Sequence, residues 1–154
     1  VSVRILPGMA SGTQIQTDAG VVFQLAERRH PRFERDGDNL HMRISLSLYE
    51  ALTGWRRPVR LLDERRVWVG DERGAAAPGA VRRLRGHGFP RYRQSGRGDL
   101  YLHLSIRFPE VAVSGEAASA LRRALKGSAQ TASPVAPAGE RVLKLEAVAV
   151  RESR

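Results

Sequence analysis

The densest set of side chains that could do chemistry lies in residues 30–40, HPRFERDGDNL, which hold one His, two Arg, one Glu and two Asp. Three chemistries fit such a set: a metal site, a carboxylate pair for acid–base work, or a charged turn between two strands. A metal site needs several His or carboxylate ligands converging on one point. His30 and His41 stand eleven positions apart with no second pair beside them. A general acid–base pair needs rigid elements that hold it in a cleft and perturb its pKa values. Asp36 and Asp38 instead flank Gly37, and Asp-Gly supplies the positive φ of a tight turn. The turn is the favoured reading. Phe33 is the only large apolar residue between the flanking apolar runs, and it must be buried or hold a pocket. His87, in RGHGFP, has no Ser or Asp placed to complete a triad. The GHG and GRG glycines lack the spacing and the following helix of a phosphate cradle. No residue set here supports an enzyme.

The elements that must carry these residues are mostly strands. VSVRIL (1–6) is a short apolar run, PGMASGT (7–13) is turn chemistry, and GVVFQLAE (20–27) reads as a second strand. In residues 40–48, Leu40, Met42, Ile44, Leu46 and Leu48 alternate with His41, Arg43, Ser45 and Ser47, the period of a half-buried strand. YEALTGW (49–55) breaks that period and suggests a helical turn ended by Gly54. Residues 57–69 read as a hairpin with Asp63 and Glu64 near its tip, and 70–80 as a loop. Residues 99–108 alternate again, with Leu100, Leu102, Leu104, Ile106 and Phe108 on the inner face. The pattern then turns helical over 114–127, where Ala117, Ala120, Leu121, Ala124 and Leu125 make one narrow stripe, Ser114 stands at the N-cap position and Gly127 ends the helix. Such a helix at the end of a β domain suits docking onto something else. Residues 128–139 form a Pro/Ala/Ser-rich linker, and 140–150 read as a short strand that must find an edge in this chain or a partner.

Composition narrows the class. With 42% apolar residues in 154, the chain can build a packed core. It opens within an apparent strand, so it reads as a fragment lacking its upstream part. No apolar run approaches the ~20 residues of a membrane span, and no membrane role is expected. Cys is absent, which excludes disulfides and thiolate metal sites and mildly favours a reducing compartment. Lys and Arg number 26 against 16 Asp and Glu, for a net charge of +10. The excess is densest in 55–66 and 81–98, and it is almost all Arg. It fits a nucleic-acid or ribosome surface, but without a recognised nucleic-acid motif a solvated Arg-rich face is the simpler reading.

Five segments in register carry a resemblance: HPRFERDGDNL before a period-two strand, SLYEALTGW, LLD, LRGHGFP and GRGDLYLHLSIRFP, preceded by VRILPGMASGT (3–13). Their order resembles that of the C-terminal region of the DnaJ-type co-chaperones, the J-domain protein family, over about three quarters of the chain. The resemblance implies a mostly β fold: the end of a first β-sandwich-like domain (1–34), a second complete small β domain (35–112), a C-terminal dimerisation helix (113–127), a linker (128–139) and a tail strand (140–154) similar to the extension of type I members.

It also implies a function. Such regions hold unfolded or extended polypeptide as an added strand, with apolar side chains in a shallow pocket, and deliver it to a DnaK-type ATPase chaperone. They catalyse nothing and need no cofactor. Phe33 matches the Phe that lines the family's client pocket, and Ile5, on the strand before PGM, is a weaker candidate. Leu121, Ala124 and Leu125, with Phe108 and Pro109 leading into the helix, are the expected homodimer contacts.

The sequence departs from the family pattern in places. His-Pro-Asp, the motif that engages the ATPase, is absent, as is the Cys of a zinc region. Glu64 replaces the usual hairpin glycine. The Arg excess keeps open a structural subunit of a larger assembly, mitochondrial, ribosomal or axonemal, contacting RNA or acidic protein. An RNA-binding module ranks below both. A cytoplasmic location is expected, with mitochondrial or axonemal placement as the alternative.

Overall fold

The computed structural model describes residues 2–71, 75–126, 142–144 and 146–148, the last two segments by their backbone. In chain order the elements are β1 (Gln14–Gln16), β2 (Val22–Gln24), β3 (Phe33–Asp36), β4 (Asn39–Ser47), α1 (Leu48–Thr53), β5 (Trp55–Arg60), β6 (Arg66–Asp71), β7 (Val81–Leu84), β8 (Leu100–Arg107), α2 (Gly115–Lys126), β9 (Val142–Lys144) and β10 (Glu146–Val148). The fold is mostly β, with a C-terminal helix. The strands form a two-stranded sheet (β1-β2), a five-stranded sheet ordered β10-β7-β8-β4-β3, and a three-stranded sheet ordered β5-β6-β9. No helix among the described residues is long and apolar enough to cross a membrane.

The described residues fall into two compact units, one of 2–43, 81–103 and 146–148, the other of 44–71, 75–80, 104–126 and 142–144. The sequence-based boundary between 34 and 35 falls inside β3. In the first unit Phe33, Leu40, Val81, Leu84, Leu100 and Leu102 are buried. In the second, Ile44, Leu46, Trp55, Val59, Val69 and Leu104 are. Period two puts Leu40, Ile44 and Leu46 of β4 and Leu100, Leu102 and Leu104 of β8 in the core, with Met42 and Ile106 half-buried; Phe108, expected on the same inner face, lies beyond β8 and is exposed.

Leu48, expected as the last inward residue of a strand, begins α1. Ser47 Oγ accepts the Glu50 N–H and Glu50 Oε2 accepts the Ser47 N–H at 2.8 Å, a reciprocal capping box that stops the strand and starts the helix. The β5–β6 hairpin closes over Leu61–Arg65, with the Leu61 N–H donating to the Arg65 carbonyl at 2.9 Å. Glu64 stands in the left-handed region there (φ 68), where a glycine would be unstrained.

Three elements differ from the sequence reading. Residues 2–6 have no ladder partner among the described residues. The run at 20–27 yields only the three-residue β2, paired with β1 through Ile15 opposite Phe23. Residues 81–84 form β7, although adjacent Arg82 and Arg83 hide any alternation. The tail pairs with this chain: β9 runs parallel to β6 and β10 antiparallel to β7.

Candidate functional site

The stretch at 30–40 is a hairpin. Asp36 faces Asn39 across the two-residue turn Gly37–Asp38, and Gly37 takes φ 57. His30 Nδ1 accepts the N–H groups of Arg32 and Phe33, both at 3.2 Å, so the ring caps the start of β3. Asp36 lies 4.0 Å from His41 and Asp38 lies 3.9 Å from Arg91, which places the two carboxylates on separate partners. Among the described residues no three His, Cys, Asp or Glu side chains could hold a metal ion together.

The loop glycines serve backbone packing. A Cβ on Gly98 would sit 2.0 Å from the Asp38 carbonyl oxygen. That closeness lets Phe89 N–H reach the same carbonyl at 2.8 Å, while Gly88 N–H bonds the Gly98 carbonyl at 2.8 Å. Asp99 Oδ1 accepts the Gly86 N–H at 2.8 Å, and Asn39 Oδ1 accepts the Asp99 N–H at 3.0 Å. The segment 85–99 is thereby fastened to the β3–β4 turn.

Arg35 extends this framework to the N-terminal segment. Its side chain is 11% exposed, and its guanidinium donates to the carbonyls of Met9 (2.9 Å), Gly8 (3.1 Å) and Gly37 (2.7 Å) and pairs with Glu27 at 3.4 Å. Gly8 packs so closely on the 90–92 backbone that a Cβ would lie 2.4 Å from Tyr92 N. The Pro7–Met9 turn is therefore pinned from two sides, and the residues before it are held near β2.

That arrangement opens a groove of about 520 Å³ lined by Val3, Ile5, Ile15, Phe23, Gln24, Leu25 and Ala26. Its volume is in the range of small-molecule or side-chain pockets, about 300–1,000 Å³. Its lining is apolar but for Gln24. Ile5 is 64% exposed and Phe23 42% exposed, with Val21 and Val22 also open to solvent beside it. Of the two residues expected to touch a client, the structure places Ile5 in this groove. It places Phe33 in the core, 5% exposed, outside the groove lining. The groove residues missed by sequence reasoning, Phe23 and Leu25 above all, sit in a run whose only signal was its apolarity.

The residues expected at a dimer contact are all open to solvent. Phe108 is 69% exposed and is followed by exposed Pro109; Leu121, Ala124 and Leu125 share one stripe of α2 and are likewise exposed. Ser114 contributes its carbonyl to the helix start, accepting the Ala118 N–H at 3.4 Å.

Two polar clusters lie outside the groove. Arg57 donates three hydrogen bonds to Glu50, from Nη2 to each carboxylate oxygen at 2.7 Å and from Nε to Oε1 at 3.1 Å, and its Nη1 donates to the Ser45 carbonyl. Burial alone would raise the Glu50 pKa; hydrogen bonds from Arg57 and Ser47, with the Arg57 charge, outweigh it and hold the carboxyl below its ordinary 4.5. His41 Nδ1 and His103 Nε2 share a hydrogen bond at 2.9 Å, and the His41 ring stacks on Tyr101. Burial first, then the neighbouring His41 and Arg43, push the His103 pKa below its ordinary 6.5 against the opposing pull of Glu34. Neither cluster resembles a catalytic constellation.

Comparison with known proteins places this geometry. Residues 1–109 match the family described as the DnaJ C terminal domain. The chain is 41% identical over 92 residues to mouse DnaJ homolog subfamily A member 2, covering 58% of this chain and 22% of that protein. It is 35% identical over 124 residues to the chaperone protein DnaJ of Syntrophobacter fumaroxidans, covering 71% of this chain and 31% of that protein. A DnaJ protein homolog 2 of leek, Allium porrum, is 36% identical over 106 residues, covering 68% of this chain and 25% of that protein. The chain thus spans no more than about a third of these relatives. It belongs to the DnaJ C-terminal domain family, a family of chaperones and not of enzymes.

Proposed function

We propose that this chain is the client-binding and dimerisation part of a DnaJ-type co-chaperone. The single observation that carries the reading is the open apolar groove beside the two-stranded sheet β1–β2, where Ile5, Val21, Val22 and Phe23 stand exposed together. An extended segment of an unfolded protein lies along this sheet, gaining backbone hydrogen bonds and setting an apolar side chain against Ile5, Phe23 and Leu25. A groove whose lining side chains are apolar but for Gln24 favours apolar side chains without reading a sequence, as a general holdase needs. The exposed stripe Leu121–Ala124–Leu125 on α2 joins two copies, so that two grooves act on one client and raise its effective concentration. Delivery to a DnaK-type ATPase runs through a J domain, whose His-Pro-Asp motif is absent from this sequence.

The test is fluorescence anisotropy with a labelled extended apolar peptide, on the wild-type chain and on Phe23→Asp. Phe23 is exposed in a short surface strand, so circular dichroism is expected to stay unchanged. Affinity is expected to fall about tenfold, the cost of one lost apolar anchor with a charge put in its place. Equal affinity in both proteins would remove the groove as the client site.

A further inference from the structure

We propose that the arginine-rich segment 81–98 is a binding surface for single-stranded RNA. The segment holds six Arg and neither Asp nor Glu. Arg85, Arg91 and Arg93 are exposed. Among the acidic residues beside it are Asp38, 3.9 Å from Arg91, Asp99, 3.9 Å from Arg83, and Glu146, which stands opposite Arg83 in the β7–β10 ladder. Arg82, Arg85 and Arg97 also make contacts within the chain, so Arg91 and Arg93 carry the proposal.

The backbone that presents these cations is fixed. Pro90 and Arg97 form an antiparallel bridge, Gly98 N–H donates to the Phe89 carbonyl at 3.0 Å, and Arg91 N–H donates to the Gly96 carbonyl at 3.2 Å. Gly8 packs against the Tyr92 backbone from behind. A ligand therefore meets a formed surface and loses little affinity to ordering the loop. At its tip Arg93 adopts φ 54, a left-handed conformation that penalises every residue but glycine, and its guanidinium lies 5.1 Å from the Tyr92 ring centroid. A strained non-glycine residue that holds a cation over an aromatic ring at a loop tip points to a recognition site.

The chemistry favours RNA over an acidic polypeptide. Every cation in the segment is Arg, whose planar fork binds phosphate bidentately and whose flat face stacks. Tyr92 and the Arg93 plane offer stacking surfaces for unpaired bases, and exposed Gln94 and Ser95 can meet base edges. A run of carboxylates would use the cations and leave these groups idle.

The experiment measures anisotropy of a fluorescein-labelled single-stranded RNA of about 12 nucleotides, over a salt series, with circular dichroism melts on each variant. The wild-type chain is expected to bind, with affinity falling linearly on logarithmic axes as salt rises. Arg91→Glu with Arg93→Glu is expected to weaken binding about tenfold or more and to make the salt slope shallower by about 1.4. Tyr92→Ala is expected to cost about fivefold or more with the slope unchanged. Arg93→Gly relieves the backbone strain and removes one cation, so it keeps the fold and still weakens RNA binding. Arg66→Glu with Arg107→Glu makes the same change in net charge in the other unit. If that pair weakens binding as much as the loop pair, or if the loop pair has no effect, the proposal is wrong. If polyglutamate displaces the RNA equally well from wild type and Tyr92→Ala, the occupant is an acidic polypeptide and the RNA assignment is overturned.

Discussion

The Arg35 guanidinium lies over the Phe89 ring, its Cζ 3.9 Å from the centroid, while its nitrogens hold the carbonyls of Gly8, Met9 and Gly37. One side chain thus ties the β3–β4 turn, the glycine-rich loop and the N-terminal turn together. A lysine supplies the charge without the planar fork or the stacking face. Arg35→Lys is expected to lower stability by about 1.5–3 kcal/mol, the worth of hydrogen bonds to a charged group, and to weaken apolar-peptide binding beyond that by loosening the segment that carries Ile5. Urea titration and peptide anisotropy on the same variant check both effects.

Phe33 is 5% exposed, and its truncation acts on the core. Phe33→Ala is expected to cost about 3–5 kcal/mol, enough to unfold a marginal domain. A fully folded variant with weakened peptide binding would instead return Phe33 to the client site.

The His103 pKa is lowered in the folded chain, so the unfolded chain takes up a proton first as pH falls. Stability from this group is complete above the ordinary value of 6.5, declines as pH drops below it, and levels off beneath the lowered folded pKa. His103→Gln is expected to flatten that decline. Urea midpoints measured between pH 5 and 8, a range chosen to bracket the histidine pKa, give the comparison.

Glu64 occupies a left-handed position at the β5–β6 turn. Glu64→Gly relieves about 1–2 kcal/mol of backbone strain. Against this stand glycine's chain entropy of about 0.5–1 kcal/mol and an exposed ion pair with Arg60 worth a few tenths. A net gain of about 0.5 kcal/mol is expected, visible as a raised denaturation midpoint with the same slope.

The wild-type chain is expected to be a dimer, and Leu121→Asp with Leu125→Asp a folded monomer, because both side chains are exposed on α2 and outside the buried core. Light scattering on both proteins decides it. An unchanged mass would exclude this stripe as the contact.

The parts of the fold legible in the sequence were those where one physical signal dominated. In β4 and β8, Leu40 to Leu46 and Leu100 to Leu104 alternate with polar residues, and burial follows that alternation. Gly37 marked the β3–β4 turn and Gly54 the end of α1 for the same reason, a backbone need met by residue type. β7 was illegible because Arg82 and Arg83 are adjacent and period two disappears. β1 has Ile15 alone between two glutamines, too little pattern for any strand signal. The groove was half legible. Ile5 follows from the run before Pro7, but Phe23 is exposed where an isolated apolar run suggests burial, and only the pairing with β1 explains its position. Phe33 could be buried or hold a pocket on its sequence alone. The core claimed it because β3 pairs with β4 and brings it opposite Met42.

The outer strands of the two larger sheets are poor templates for another chain. Glu34, Arg35 and Asp36 make up most of β3, β5 contains Pro58, and β9 and β10 are three residues each. The β1–β2 pair is as short as β9 and β10, but its six residues carry no charge and no proline. An edge that took extended apolar segments in the proposed way would not distinguish a client from a second, partly unfolded copy of this chain. On the proposed reading that receptiveness would also be an aggregation hazard, and in a crowded solution a bound client would double as a shield against self-polymerisation.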